Sequence, residues 1–265
     1  MANTNMPRAR GSCLLRAKQR GQASAIADLR MSGCMKVLFA RSPDRVDAIT
    51  INSAGGLTSG DRLDMEIKLE PASSASVTTQ AAERAYRAPA GKAVVETELS
   101  VGVNAKLFWL PQELILFDGA ALHRKLHCDL DENAQLLLVE PVVFGRALMG
   151  ERLRHAYFKD QISIDRCGAP LYRDTTHLNG DVEALLGSRG IAYGARAMAS
   201  LVYVGPDAEA RLQRIARHEW LGVSLIQPDV MVLRLLASDS FEMRRTLLPI
   251  LDDLTDNTLP TSWRL

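Results

Sequence analysis

Aromatic residues are scarce in this sequence, and its net charge is close to zero. Phe, Trp and Tyr make up 5% of the 265 residues, and 32 basic against 31 acidic residues leave a net charge of +1. Such a balance produces no bulk field that would favour nucleic acid or an anionic membrane surface. We therefore expect a protein that binds neither.

The sequence also lacks paired cysteines and long apolar runs. None of its four cysteines stands in a CxxC motif, and the apolar pair Leu14-Leu15 is too short for the core of a secretory leader. No apolar run approaches the roughly 20 residues that span a bilayer. The sequence predicts a cytoplasmic protein with reduced thiols and no membrane-embedded segment.

Charge is distributed unevenly at the N-terminus. The first 20 residues carry five arginines and lysines and no acidic residue. We expect residues 1–20 to form a disordered basic arm. The composition is 47% hydrophobic and 24% charged, which is ordinary for a globular chain, and we expect residues 21–265 to form a single domain.

The clearest local signal is the glycine-rich segment Asn52–Asp61. It is preceded by Val46–Ile51, which is rich in β-branched residues, and followed by Leu63–Glu70, in which apolar and polar residues alternate. A phosphate-binding loop would end in a Lys-Ser/Thr pair and a helix, and both are missing here. The glycines are Gly55, Gly56 and Gly60. They predict positive φ angles or close backbone approach in a connection between two strands.

Similar alternation and turn signals recur about every 8–12 residues, which is typical of an all-β architecture. Further strands are predicted at 75–80, 95–101, 107–110, 114–117, 122–130, 136–139, 157–166, 196–204, 222–226 and 230–236. Helical spacing follows Pro206 and begins again near Ser240. The fold class is therefore predicted to be all-β dominated, with two α-helices in the C-terminal third and no βαβ units.

Several carboxylates lie next to glycines, prolines or apolar runs, where solvated surface charge is unusual. They are Asp61, Glu113, Asp118, Glu140 and Glu151. Glu140 lies between Leu136–Val139 and Pro141–Phe144, so it should be partly buried and need a partner or a raised pKa. Arg146 is one possible partner in a structural ion pair. Covalent catalysis has no support, because the sequence contains neither a Gly-x-Ser-x-Gly elbow nor a Cys-His motif.

Two histidines, His123 and His127, are four residues apart, the spacing of zinc ligands on one helix face. The turn signals around them indicate a strand, on which four residues span about 13 Å. A shared metal ion is therefore disfavoured, and each histidine is either a single ligand or no ligand.

Four longer segments resemble the urease accessory protein UreD family, also called UreH. They are Ser53–Leu63, Thr78–Arg87, Trp109–Ala120 and Phe144–Glu151, in the family's order and spacing. The motif residues within them are Gly55, Gly56, Gly60, Glu83, Tyr86, Glu113, Asp118, Gly119, Gly145 and Arg146. Departures from the family pattern are Ser53, Ser59, Arg84 and Leu114, and none removes a carboxylate.

The resemblance implies a large β-rich, β-helix-like stack of sheets. It implies a protein that is not an enzyme but a maturation factor, or chaperone, joining UreF and the GTPase UreG on apo-urease. Nickel would pass through an internal tunnel to the urease active site, with no permanently bound cofactor. The metal path that we predict on this basis consists of Asp61, Glu66, Gln80 and Glu140.

Two other classes of function remain open from the sequence. One is an enzyme that uses Asp61 and a second carboxylate as an acid/base pair, which would require two carboxyl groups converging in a closed pocket. The other is a docking scaffold that never contacts nickel, for which a solid interior would be expected.

Overall fold

The computed structural model describes residues 8–146 and 149–264. The first ten strands are β1 (Arg10–Arg20), β2 (Ala23–Gly33), β3 (Met35–Ala40), β4 (Val46–Asn52), β5 (Arg62–Leu69), β6 (Ser74–Thr79), β7 (Glu83–Ala85), β8 (Ala93–Val101), β9 (Lys106–Leu110) and β10 (Leu114–Leu116). The other strands are β11 (Ala121–Leu130), β12 (Gln135–Phe144), β13 (Ala156–Arg166), β14 (Ala169–Gly180), β15 (Ala197–Val204), β16 (Leu221–Gln227) and β17 (Val230–Ala237). The helices are α1 (Val182–Gly187), α2 (Ala208–Arg214) and α3 (Ser240–Leu254), and a 3-10 helix spans Thr261–Arg264.

The strands form two large sheets. Sheet A has the order β14-β13-β11-β8-β5-β1-β2, and sheet B has the order β16-β17-β15-β12-β9-β6-β4-β3. The central strands of each sheet are parallel, whereas the outermost pairings of both sheets are antiparallel. Parallel neighbours need a crossover, and here each crossover leads through the opposite sheet.

Between Val46 and Arg166 the chain therefore winds as a coil. β4, β6, β9 and β12 belong to sheet B, and β5, β8, β11 and β13, which alternate with them along the chain, belong to sheet A. A short third ladder closes the side of the coil, where β10 pairs in parallel with both β7 and the end of β12. The result is a β-helix-like stack of sheets, as the resemblance implied, and it confirms the all-β dominated fold class predicted from the strand pattern.

The main core fills the space between sheets A and B, and a second core lies between sheet B and the C-terminal helices. Strand alternation explains the first, because inward residues such as Leu63 and Ile67 on β5 are buried while Asp64 and Glu66 face outward. In the second core, Leu247 and Leu251 of α3 pack against the outer face of sheet B. Sheet B is thus covered on both faces.

The helices partly differ from the prediction. α2 and α3 lie where helical spacing was found, after Pro206 and from Ser240, but the described chain has a third helix, α1. α1 contains six residues and is held by Asp181, whose carboxylate accepts a hydrogen bond from the Ala184 amide at 2.9 Å. So short a helix produces no readable periodicity, which is why the sequence did not reveal it.

The prediction of a disordered arm over residues 1–20 is wrong for Arg10–Arg20. These residues form β1, which pairs in parallel with β5 and antiparallel with β2. Alternate side chains such as Cys13 and Leu15 are buried, while the basic residues project outward. Charge on one face is compatible with a half-buried strand. The part of the prediction that covers residues 1–7 lies outside the described residues.

All four cysteines carry free thiols. Burial raises the pKa of Cys13 to about 11, and burial is also the main cause of the raised pKa of Cys128. Both thiols are therefore poor nucleophiles at neutral pH. Within residues 8–146 and 149–264, every helix is too short or too polar to cross a bilayer.

Ile67→Ala should destabilise the fold substantially. Ile67 is fully buried between the two sheets, so its truncation removes apolar contacts and leaves a cavity. We expect the free energy of unfolding to fall by about 2–5 kcal/mol in denaturant titrations. Lys68→Ala, on the outer face of the same strand, is the matched control and should cost less than about 1 kcal/mol. Equal losses for the two variants would contradict this assignment of faces.

Candidate functional site

Three charged side chains meet in the interior between sheets A and B. Arg124 of β11 and Asp160 of β13 occupy inward positions of sheet A, and Glu140 of β12 faces them from sheet B. The Arg124 guanidinium donates Nε to Asp160 Oδ1 at 2.8 Å and Nη2 to Oδ2 at 2.7 Å. Its Nη1 lies 2.6 Å from Glu140 Oε2, and the Trp109 indole donates to Glu140 Oε1 at 2.7 Å. We call Arg124, Glu140 and Asp160 the buried triad.

The buried triad contains two carboxylates and one guanidinium, so it carries a net charge of −1 when all three groups are ionised. Burial raises the pKa of Glu140, and the Asp160 charge raises it further, whereas Arg124 and the Trp109 hydrogen bond favour the ionised form. Burial opposes the charge of Arg124, but the two carboxylates hold its pKa above the usual range. An uncompensated negative charge in a poorly solvated interior attracts cations.

A cavity of about 260 Å³ lies beside the buried triad. Its wall includes Trp109, Arg124 and Glu140 at the buried end and extends to Gly55 and Arg84, which are exposed. The cavity therefore reaches from the protein surface to the triad. It is large enough to hold several water molecules.

The cavity follows the corner at which the chain leaves sheet B for the third ladder. Polar side chains on this wall occur on successive coils: Asn52 at the end of β4, Gln80 after β6, Gln112 after β9 and Glu140 within β12. These strands are neighbours in sheet B, so successive coils are about 4.8 Å apart. The corner thus presents amide and carboxylate groups at regular intervals along the stack.

Glu83 contributes a second carboxylate to the cavity wall. Its Oε2 accepts a hydrogen bond from the Asn52 amide nitrogen at 3.1 Å, and its Oε1 accepts one from the Arg84 backbone at 3.1 Å. Burial is the main cause of its raised pKa, and these hydrogen bonds oppose that shift. Glu83 and Glu140 both line the cavity, so two carboxylates with raised pKa values face it.

The structure brings together two of the four residues predicted for a metal path. Gln80 and Glu140 line the cavity, but Asp61 and Glu66 do not. Glu66 projects from the outer face of sheet A, where its carboxylate lies 2.5 Å from Lys68 Nζ. Strand alternation places Glu66 on the face of β5 opposite Met65. Because Met65 points between the two sheets, Glu66 points to the outside of the stack.

Asp61 is buried, and its carboxylate is hydrogen-bonded to the backbone. Its Oδ1 accepts a hydrogen bond from the Ala9 amide at 2.8 Å, and its Oδ2 accepts one from the Thr58 amide at 2.7 Å. The carboxylate therefore ties the glycine-rich turn to the segment that enters β1. Its position at the turn was evident from the sequence, but its contact with Ala9, 52 residues away, was not.

Asp61→Ala should consequently act on stability. It removes both acceptors and leaves two partly buried amides without a partner, for which we expect a loss of about 2–4 kcal/mol in the free energy of unfolding. Calorimetry or denaturant titration of the purified chain measures this. An Asp61→Ala variant as stable as the wild type would contradict this structural role.

The glycine-rich turn itself has the structural role predicted for it. Gly55, Gly56 and Gly60 all have positive φ angles. At Gly56, φ is +149°, and a Cβ would lie 2.3 Å from the Tyr86 ring. The Tyr86 ring also packs edge-on against Phe117, with 4.9 Å between ring centroids. Gly56 is therefore required for the close approach of the turn to β7.

Asp118 and Glu151 stabilise loops through hydrogen bonds. Asp118 Oδ1 accepts the Arg154 and His155 amides at 2.9 Å each, beside Gly119 with its positive φ. Arg146 follows Gly145 and donates Nε and Nη2 to Glu151 at 3.1 Å each. The proposed pairing of Glu140 with Arg146 is thus wrong, because Glu140 points between the sheets and meets Arg124.

Glu113 anchors the C-terminal helix. Arg244 of α3 donates to both of its carboxylate oxygens, at 2.5 and 2.8 Å, and a further Arg244 nitrogen donates to the Trp263 carbonyl at 2.9 Å. This pair links α3 to the connection between β9 and β10, so Glu113 has a structural role.

Sequence reasoning missed Arg124, Asp160, Trp109 and Asn52. Arg124 had a readable signal, since it lies between Leu122 and Leu126 at a position of β11 that should face the core. A charged residue at such a position requires a buried partner. The identity of that partner depended on which strands face one another across the two sheets.

The fold and the cavity define a β-stack protein with a cavity that leads from its surface to a buried group of charged side chains. Residues 9–263 match the model of the UreD urease accessory protein family. A urease accessory protein UreD of Roseobacter denitrificans is 49% identical over 264 residues, covering 98% of this chain and 97% of the relative. Proteins of the same name from Ruegeria pomeroyi and Rhizobium rhizogenes are 46% and 39% identical, covering 95% and 100% of this chain and 99% and 98% of theirs.

The chain belongs to the UreD urease accessory protein family. It therefore has a role in urease maturation. All four motif segments lie within residues 9–263, the range that the family model matches. The relatives are covered over nearly their whole length.

Proposed function

We propose that the chain is a non-catalytic maturation factor through which nickel reaches the urease active site. It acts in the cytoplasm in a complex with UreF and the GTPase UreG on apo-urease. The cavity beside the buried triad is one section of the nickel path. The observation that carries this proposal is the continuous cavity wall, which leads from exposed Gly55 to buried Glu140.

The chemistry of the wall suits an ion in transit. Amide oxygens and carboxylates bind a hydrated divalent ion more weakly than a closed set of histidines and cysteines. Conduction requires sites that are favourable enough to enter and weak enough to leave. Asn52, Gln80, Glu83 and Glu140 supply such groups along the cavity wall, and water completes the coordination.

Arg124 limits how strongly Glu140 can hold the ion. A cation that approaches Glu140 competes with the guanidinium for Oε2, while Oε1 remains hydrogen-bonded to Trp109. Arg124 retains two hydrogen bonds to Asp160 when Glu140 turns toward the ion. The arrangement favours brief binding, because the Arg124 guanidinium can pair with Glu140 again when the ion leaves.

The acid/base alternative is disfavoured even though Glu83 and Glu140 line the same cavity, because that cavity is open to the surface. The acid/base alternative relied on Asp61, whose two carboxylate oxygens both accept hydrogen bonds from backbone amides. A scaffold that never contacts nickel would need no cavity that leads to a buried group of charged side chains, and burying charge is costly. Nickel transit accounts for both the cavity and the charge.

The test is co-expression of the urease structural genes with the other accessory genes, with and without this chain. Without it, urease subunits should fold and assemble but contain little nickel. Metal analysis of the purified urease measures the outcome. Full nickel content in the absence of the chain would refute the proposed function.

A further inference from the structure

A second group of ligating side chains lies on the outer face of sheet A, away from the cavity. His127 and Asp129 project from β11, and Asp165 projects from the neighbouring β13. One ligand atom of each lies within 4.8 Å of those of the other two. We propose that His127, Asp129 and Asp165 form a binding site for a divalent transition-metal ion.

The distances from His127 to the two carboxylates are close to those in a coordination sphere. His127 Nε2 lies 3.2 Å from Asp129 Oδ2 and 3.8 Å from Asp165 Oδ2. Bonds of about 2.0–2.2 Å to one ion place neighbouring ligands roughly 3.0–3.5 Å apart at octahedral or tetrahedral angles. Small side-chain rotations are therefore enough to close the site around an ion.

The register of the sheet explains why a cation is favoured there. Asp129 and Asp165 are direct partners on adjacent parallel strands, and like charges at such positions repel each other. Glu98 of β8 is the partner of His127 on its other side and extends the negative surface. Within residues 8–146 and 149–264, Asp129 has no lysine or arginine at ion-pair distance, and the basic side chain that it contacts is His127.

One basic side chain competes for this site. Arg173 of β14 pairs with Asp165 Oδ1, while Asp165 Oδ2 faces His127. The guanidinium therefore occupies one carboxylate oxygen and leaves the other available. Removal of this competitor should strengthen metal binding, a result that a purely structural ion-pair cluster would not give.

The donor set selects the class of ion. One imidazole nitrogen and two carboxylates suit Zn²⁺, Ni²⁺ or Co²⁺, whereas Mg²⁺ and Ca²⁺ prefer oxygen ligands alone. His127 and Asp129 are partly exposed, so water fills the remaining positions and the ion exchanges with solvent. The site and the cavity lie on opposite faces of β11, so this metal site does not depend on the proposed nickel path.

The test is a Zn²⁺ titration of the purified, tag-free full chain, followed by calorimetry and by NMR of the histidine rings. The His127 ring signals should shift on Zn²⁺ addition. His127→Ala should weaken binding at this site at least about tenfold. His123→Ala is the matched control, because His123 lies on the same face of β11, bonded to Gln161 at 2.9 Å, and should leave binding unchanged.

Two further variants make the outcome decisive. Arg173→Gln should bind Zn²⁺ more tightly than the wild type, and Glu140→Gln should bind it equally well at His127. Unshifted His127 signals at saturating Zn²⁺, or equal affinity in His127→Ala and wild type, would overturn the proposal. A failure of the nickel path would leave the His127 signals responsive, so the two proposals fail separately.

Discussion

Glu140→Gln should lower the nickel content of urease several-fold while the chain still folds and joins its partners. Gln keeps an acceptor for the Trp109 indole and changes the net charge of the buried triad from the −1 of its fully ionised form to 0. At about 4 Å and an effective dielectric constant near 20, one unit charge interacts with another by about 4 kcal/mol. Since about 1.4 kcal/mol is tenfold in occupancy, a fraction of this energy is enough to reduce loading.

The measurement is nickel per urease active site, taken together with recovery of the accessory complex by pull-down. Glu132→Gln is the matched control, because it removes the same charge from an exposed turn. It should leave nickel loading at the wild-type level. If Glu140→Gln matches the wild type, or loses nickel only when the complex is also lost, Glu140 has a structural role and the path does not pass it.

Ala82→Trp should reduce nickel loading as strongly without removing any oxygen ligand. Ala82 is half-buried on the cavity wall, between Gln80 and Glu83 in the chain. An indole there fills much of the approach to the buried triad, because a Trp side chain buries roughly 150–250 Å² of surface. A hydrated ion would no longer pass, although Glu140 and its partners remain intact.

Ala82→Ser is the control for this variant, since it changes the residue without filling the cavity. Nickel per active site and pull-down of the complex are again measured side by side. Wild-type loading in Ala82→Trp would show that nickel takes another route. Loss of the complex in Ala82→Trp alone would favour the docking scaffold, because the wall would then be part of a partner interface.

Local sequence patterns were sufficient to predict which face of a strand is buried. The alternation in Leu63–Glu70 placed Glu66 opposite Met65, and the apolar residues on both sides of Glu140 predicted its burial. The first inference uses a period of two residues and the second a continuous apolar run, and neither needs knowledge of distant contacts. The same pattern was present in β1, but the basic residues on its outer face led to the prediction of a disordered arm.

The contacts of the site could not be predicted in the same way. The pairing of Arg124 with Glu140 depends on β11 and β12 facing each other from different sheets, and that of Asp61 with Ala9 depends on β1 joining β5. These contacts are fixed by the winding of the whole stack. Sequence proximity instead suggested Arg146 for Glu140 and a metal path through Asp61, and the long-range topology places both side chains elsewhere.

The antiparallel strands at the ends of both sheets have a consequence for the behaviour of the molecule in solution. A stack of parallel coils exposes unpaired backbone groups at each end, and another copy could add to them. Here the terminal hairpins reverse direction, so the last strand of each sheet no longer continues the coil. They act as end caps of the kind that repeat proteins require. The stack can therefore keep a cavity between its sheets without offering its ends as parallel edges that another copy would extend.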